Sequence, residues 1–418
     1  MRSGSLPWLK GFDHTIAFLH DGYEFVSRRC DRLNSDAFLA RLMLQKVVCA
    51  RGEDAAQLFY EGGRFTRRGA MPPTTMRLLQ DLGSVQQLDG AAHRHRKAMF
   101  VRLLMGADAE QQITDSFRTE WRNAAKDWSS KPSIVLFDQA NVILTKTICR
   151  WMQIPASKPY AELANEFSSM IENSGSASLA VVFALIRRRS TERYFERLVR
   201  SIREGAAIVA TDSPLAYVVN YRDMDGSLLS ERSAAVELIN ILRATVAIGR
   251  FVIFVALALE QQPKWKEELH SADDAAYEHF VEEVRRLYPF FPVIGGRAVE
   301  SFEWRGHQFD CGDWFILDLY GTNHFRRLFP EPDQFNPHRR LTWRTQGYDF
   351  IPQGGGDART DHRCPGEQIT VGIMREACRL LVEDMQYELP EQDLTLSLHE
   401  IPARPRSGVV LSNIKLNI

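Results

Sequence analysis

Along the 418-residue chain, apolar and polar positions repeat with helical period over most of the length and alternate in a few short stretches. Residues 37–51 (AFLARLMLQKVVCAR) alternate and predict one or two strands, followed by a short helix over 53–60. Residues 89–105 open on Asp89-Gly90 and then turn helical, and further helical periods cover 108–128, 134–153, 159–174 and 190–209. The segment 230–262 predicts the longest helix. Ser230 is suited to cap it, Glu231 places a negative charge in its first turn, and Pro263 stops it. Some 32 residues at ~1.5 Å each give a rod of ~48 Å. That rod is apolar nearly all round from Ala234 to Leu259, as a buried central helix is. A helix over 273–288 ends at Tyr288-Pro289, and residues 290–320 switch to period two with Gly and Asp turns, a small sheet. Residues 321–363 read as irregular. A last helix begins near Pro365-Gly366-Glu367 and runs to about Met385, and 386–418 returns to short strands. No repeat or flexible linker divides the chain, which predicts one mainly α domain over 1–418 with a minor β region.

Composition narrows the class. A net charge of −1 gives no electrostatic reason to bind nucleic acid, and 44% hydrophobic residues allow a sizeable core. The six cysteines (Cys30, Cys49, Cys149, Cys311, Cys364, Cys378) form no CxxC pair, which argues against a zinc site or redox dithiol and suits a reducing, cytoplasmic setting. The stretch from Met1 to Asp13 lacks a signal-peptide core, and no window offers about 18 uncharged apolar residues, so no membrane anchor is expected.

The chemistry concentrates in FIPQGGGDARTDHRCPGE (350–367), where a glycine-rich loop runs into Cys364 and a helix starts directly after it. The unpaired N–H groups and positive end of that helix lower a thiol's pKa and can hydrogen-bond a thiolate. Pro365 suits the first turn, and Gly366 leaves room for a flat ligand. This loop resembles the haem loop of the cytochrome P-450 superfamily in Phe350, its glycines (Gly356 among them), His362 and Cys364-Pro365-Gly366. The resemblance implies haem b with Cys364 as axial iron ligand, a thiolate that favours O–O cleavage. Two further motifs agree. Glu283-Val-Arg-Arg286 places an acid and a guanidinium three apart on a helix, and Phe335-Asn-Pro-His-Arg339 resembles the superfamily's meander. In that likeness Glu283, Arg286 and Arg339 form a buried triad that braces the haem loop. His93 and Lys97, one helical turn apart in DGAAHRHRK (89–97), together with Arg67 and His362, are by resemblance the partners of the haem propionates. The basic run also fits a solvated surface.

Two departures refine the likeness. Phe350 stands 14 residues before Cys364, about twice the usual superfamily spacing, and the inserted residues can reshape the surface where an electron-transfer partner docks. The long helix, in LRATVAIGR (242–250), lacks the acid–alcohol pair that delivers protons to bound dioxygen, and it carries Arg243 instead. A buried arginine needs an anion, and a substrate carboxylate in a bidentate pair supplies one. This resembles the fatty-acid peroxygenases of the superfamily, although Ala244 stands where proline usually follows. The likeness extends through ELINILR, VEEVRRLYPF, LDLYGTNH, IPQGGG and HRCPGE.

It implies hydroxylation of long-chain fatty acids at Cα or Cβ with hydrogen peroxide, with no redox partner and with the substrate carboxylate as general acid–base. Gln86 aligns with a distal position where histidine is associated with decarboxylation to terminal alkenes. Phe290, Phe291 and Val293, in PFFPVI (289–294), would line the pocket and contact substrate. Blander readings remain for each: Arg243 snorkelling or paired with a structural acid, Arg250 as the anion site, Gln86 in a solvated loop, and the apolar run as core. Rival functions are a decarboxylase, a partner-driven monooxygenase, a fatty-hydroperoxide lyase and a non-catalytic haem sensor.

Overall fold

The computed structural model describes residues 6–80, 83–175, 178–339 and 347–417. Among the described residues ten strands form three small sheets: β1 (Ala37–Leu42), β2 (Gln45–Ala50), β3 (Phe65–Thr66), β4 (Ser133–Val135), β5 (Val293–Ala298), β6 (Phe302–Trp304), β7 (His307–Phe309), β8 (Trp314–Asp318), β9 (Met385–Glu388) and β10 (Val410–Leu416). The largest sheet runs β1-β2-β8-β5-β3, antiparallel except where β2 lies parallel to β8 with Val47 opposite Trp314. β4-β10-β9 and the hairpin β6-β7 make the other two. Helices form the rest of the fold, as the mainly α reading expects.

The 37–51 stretch is a hairpin in register Leu42 to Gln45, closed by Met43 and Leu44 at φ +52° and +63°. Two positive φ values fit the tight right-twisted hairpin turn, yet neither residue is the Gly or Asn that normally signals it. The central rod is present as Glu231–Ala247 and Gly249–Gln261, capped by the Ser230 hydroxyl, which accepts from the Ser233 N–H. It steps at Ile248, whose N–H bonds the Thr245 carbonyl in a tighter turn. There Gly249 is required by packing, since a Cβ would lie 2.5 Å from Asn141 Oδ1 on the neighbouring helix Leu136–Met152. The rod from Glu231 to Gln261 is long and apolar enough to cross a membrane by length and composition, and it is buried among the other helices instead. Pro263 ends it and, as first residue of Pro263–Leu269, begins the next helix.

Several boundaries move. The helix expected over 190–209 is Ala180–Arg203, because its first turns expose Val182, Phe183 and Ile186 and hide their helical period from a burial argument. The 134–153 period divides into β4 and Leu136–Met152. The last helix is regular over Glu367–Arg379, and a wider π turn, Leu380–Asp384, leads into β9. Helices Thr15–Asp21 and Phe25–Leu33 are additions to the expected elements. The irregular region contains the short helix Leu319–Asn323, and its residues 340–346 lie outside the described ones.

Candidate active site

The loop before Cys364 is held from below by two buried ion networks. In the first, Arg286 donates to both Glu283 oxygens at 2.8 Å, and Arg339 Nε donates to Glu283 Oε1 at 3.2 Å. The Asn336 N–H adds a bond to the same oxygen at 2.9 Å. Arg286 also donates to the Asn323 carbonyl, and the Asn323 side chain accepts from the Ile351 N–H at 2.9 Å, so the three predicted residues join the start of the cysteine loop. The second network escaped the sequence reading. Arg285 donates to Glu282 at 2.7 Å, to Gln353 at 3.0 Å and to Glu367, and Arg363 Nε donates to Glu367 at 2.7 Å. Its signal was present in the first arginine of EVRR and the Glu of CPGE. Above it the Cys364 N–H bonds the Gln353 carbonyl at 3.1 Å, and the Gly366 N–H points at the sulfur. Burial raises the Cys364 thiol, and that N–H and the Lys97 ammonium oppose the shift.

A cavity of about 830 Å³ is lined by Cys364 and by the central helix at Asn240, Arg243, Ala244, Ala247 and Ile248. Arg67, Gln86, His93, Lys97, Phe290, Phe291, Val293, His362 and Gly366 all line it. Gly356 does not. At φ +82° a Cβ there would meet Asp361 Oδ2 at 2.5 Å, so this glycine makes a tight turn within the inserted loop rather than a cofactor contact. Gly354, at φ +98°, is the loop glycine that lines the cavity.

Among the described residues no Asp or Glu lines the cavity, while Arg67, His93, Lys97, Arg243, His362 and Arg363 do. The rings of His93 and His362 lie 3.9 Å apart, and Lys97 Nζ donates to the carbonyls of Asp361 and Arg363 at 2.8 and 2.6 Å. Burial, reinforced by the neighbouring cations, pushes His93 down to about 4 and lowers His362 as well. Burial also pushes Lys97 down to about 8 and lowers Arg67. Arg67 Nε is buried without a hydrogen-bond partner. Such a cluster calls for anions from outside the chain, and two propionates of a flat macrocycle fit it. Among the described residues no three His, Cys, Asp or Glu side chains gather in a cluster that could hold a metal ion.

Arg243 is buried and donates to the carbonyls of Leu78 (2.9 Å) and Leu79 (2.6 Å) while facing the cavity. Arg250 goes elsewhere. It pairs with Glu172 at 2.5 Å and donates to the Ala403 carbonyl, so the rival anion site is already occupied by a carboxylate of the chain. Gln86 is not in a solvated loop. It sits on the turn Val85–Gln87 and donates to Asn240 Oδ1 at 3.2 Å, and Asn240 in turn donates to the buried Glu237. Phe290 stacks on Phe251 at 4.4 Å and meets Phe291 edge-on at 4.5 Å. Exposed Leu19, Met43 and Val182 line the same cavity and give it an apolar rim.

The family model described as Cytochrome P450 matches residues 277–411. Cytochrome P450 4A11 of Homo sapiens is 28% identical over 185 residues, covering 40% of this chain and 34% of the human protein. Rhazimal synthase of Alstonia scholaris is 22% identical, covering 68% of this chain and 65% of that protein. The chain therefore aligns with less than two thirds of these curated relatives. Solved structures match over nearly their whole length. Cytochrome P450SP alpha (CYP152B1), determined in complex with (R)-ibuprophen, is 40% identical over 98% of this chain and 100% of its own, with a TM-score of 0.93. Cytochrome P450EX alpha (CYP152N1) with myristic acid is 36% identical over 99% and 100%, also at 0.93. A single-residue variant of cytochrome P450 OleT, in complex with arachidonic acid, is 32% identical over 99% of each chain, at 0.94. With a cysteine loop, an ExxR triad and an arginine-bearing central helix on the same fold, the chain belongs to the cytochrome P450 superfamily and, within it, to the CYP152 fatty-acid peroxygenases.

Proposed function

We propose that this protein hydroxylates long-chain fatty acids at Cα with hydrogen peroxide, using haem b ligated by Cys364. The observation that carries the reading is the polarity of the cavity: the cations Arg67, Lys97, Arg243 and Arg363 line it beside the imidazoles of His93 and His362 and, among the described residues, no carboxylate does. Propionates account for the cluster of Arg67, His93, Lys97 and His362. Arg243, on the central helix, then lines space that a substrate carboxylate fits. The bound haem supplies the chemistry of peroxide activation and C–H oxidation, giving hydroxy acid and water. What the chain does is binding and placement. Arg243 fixes the carboxylate end, and Phe290, Phe291 and Val293 crowd the adjacent chain. A carboxylate so held takes the part of the missing acid–alcohol pair as acid–base group. Fixing that end limits reaction to the nearest carbons.

No redox partner is needed in this scheme, and the inserted loop before Cys364 alters the surface where one would dock. A single catalytic domain over 1–418, acting in the cytoplasm, completes the reading. Decarboxylation to a terminal alkene is the competing outcome on the same site. The test is incubation of the purified, haem-loaded protein with hydrogen peroxide and a saturated fatty acid, with products identified by mass spectrometry. A 2-hydroxy acid without reductase supports the proposal. An alkene as main product, or activity only with an electron-transfer partner, refutes it.

A further inference from the structure

A chain of side-chain hydrogen bonds leads from the cavity wall to the surface. Gln86 Nε2 donates to Asn240 Oδ1 (3.2 Å), and Asn240 Nδ2 donates to Glu237 Oε2 (3.4 Å). Glu237 Oε1 accepts from the Val85 N–H (2.8 Å) and from Arg96 Nη1 (3.1 Å), and Arg96 Nη2 reaches Asp223 at 2.7 Å. Glu237 is fully buried, whereas the Asp223 side chain is partly exposed. The charged groups facing Glu237 are Arg96 on the helix Gly90–Leu104 and, beyond that guanidinium, Asp223 on the turn before the central helix.

The order of donors in this chain is dictated at its buried end. An ionised carboxylate can only accept. Asn240 must therefore turn its NH₂ toward Glu237 and its carbonyl toward Gln86. Gln86 must then give its own NH₂ to Asn240, which leaves its carbonyl oxygen for the cavity. If Glu237 takes up a proton, Oε2 is the atom available, because Oε1 is held by two donors. That O–H donates to Asn240, both amides rotate, and Gln86 now presents NH₂ to the cavity. We propose that Glu237 is a positioning residue whose protonation state sets whether Gln86 offers an acceptor or a donor to the substrate carboxylate. Burial pushes Glu237 up to about 7, with Arg96 opposing.

The proposal rests on the fatty-acid reading only in naming the occupant of the cavity. It predicts that a saturated fatty acid binds more tightly on the acid side of that transition, where Gln86 donates to the carboxylate. A hydrogen bond to a charged group makes the gain roughly tenfold. Calorimetric titration of the holoenzyme with the fatty acid, on either side of about 7, measures it. Glu237→Gln carries the donor permanently. It should bind with the tight, acid-side affinity at both pH values, and that gain should vanish when Gln86→Leu is added. Asn240→Ala breaks the chain while leaving Glu237 paired with Arg96, and should also abolish the pH dependence. Wild-type affinity independent of pH, or either single variant retaining the wild-type dependence, overturns the proposal. Failure of the fatty-acid hydroxylase reading shows separately, as absence of hydroxy acid with peroxide at every pH.

Discussion

Replacing Arg243 with alanine removes two things at once, and they can be separated. The guanidinium ties the carbonyls of Leu78 and Leu79 to the central helix, at 2.9 and 2.6 Å, and it faces the cavity. The first role is structural: hydrogen bonds to a charged donor are worth about 1.5–3 kcal/mol each, so loosening of the 76–80 segment is expected in Arg243→Ala. The second is the substrate pair. Breaking a desolvated charge pair costs about 2–5 kcal/mol, which lowers kcat/KM roughly 30- to 5,000-fold. A fatty acid and its methyl ester separate the two, since both feel the loosened segment and only the acid has a charge to lose. Wild type should prefer the acid by a factor in that range, and Arg243→Ala should have a ratio near one with normal haem content. Arg250→Ala is the control. Its partners are Glu172 and the Ala403 carbonyl, so it should cost stability in a urea titration and keep the wild-type acid-to-ester ratio. Equal turnover of acid and ester by wild type, or an undiminished preference in Arg243→Ala, would refute the carboxylate anchor.

Three other outcomes are expected. Cys364→Ser should lose the thiolate-type Soret band of the reduced carbon monoxide complex, and survival of that band would remove Cys364 as axial ligand. Glu283→Ala leaves Arg286 and Arg339 facing a void where a fully buried carboxylate bound both. A loss of about 3–5 kcal/mol in unfolding free energy follows, with haem released at lower urea, and a change under about 1 kcal/mol would show that the triad does not brace the loop. Phe291→Gly should raise the 3-hydroxy share of product, because Phe291 is wedged edge-on against Phe290 in the cavity wall and its removal frees the chain to slide toward Cβ. An unchanged ratio would end the steric account.

The sequence made some of this architecture legible and concealed the rest for local reasons. The central rod could be read because three independent signals coincide: the Ser230 cap, Pro263 beyond the end, and apolar residues on every side. The hairpin turn could not, since Met43 and Leu44 hold positive φ without Gly or Asn. The start of Ala180–Arg203 was hidden because its apolar side chains face outward. Within the cysteine loop, pattern alone cannot say which of three consecutive glycines meets the cavity. The answer depends on backbone angles that bring Gly354 to the wall and turn Gly356 toward Asp361.

The same limit governs the anion site. Arg243 and Arg250 are seven residues apart, two turns along a helix, so periodicity puts them on one face and cannot rank them. Packing ranks them. The step at Ile248 and the close approach of Asn141 to Gly249 lead into the turn from which Arg250 reaches Glu172, a carboxylate 78 positions upstream that no local pattern links to it. Arg243 lines the same cavity as Cys364, which no acid lines among the described residues. What distinguishes the proposed carboxylate anchor is therefore a property of the whole cavity lining rather than of its own sequence neighbourhood. A protein that omits the acid from its active site and retains the base-lined cavity makes turnover depend on a ligand that brings the acid with it. On that argument, substrates without a carboxylate should turn over far more slowly with peroxide unless a short carboxylic acid occupies the Arg243 end, and rescue of such a substrate by added short acid would test it directly.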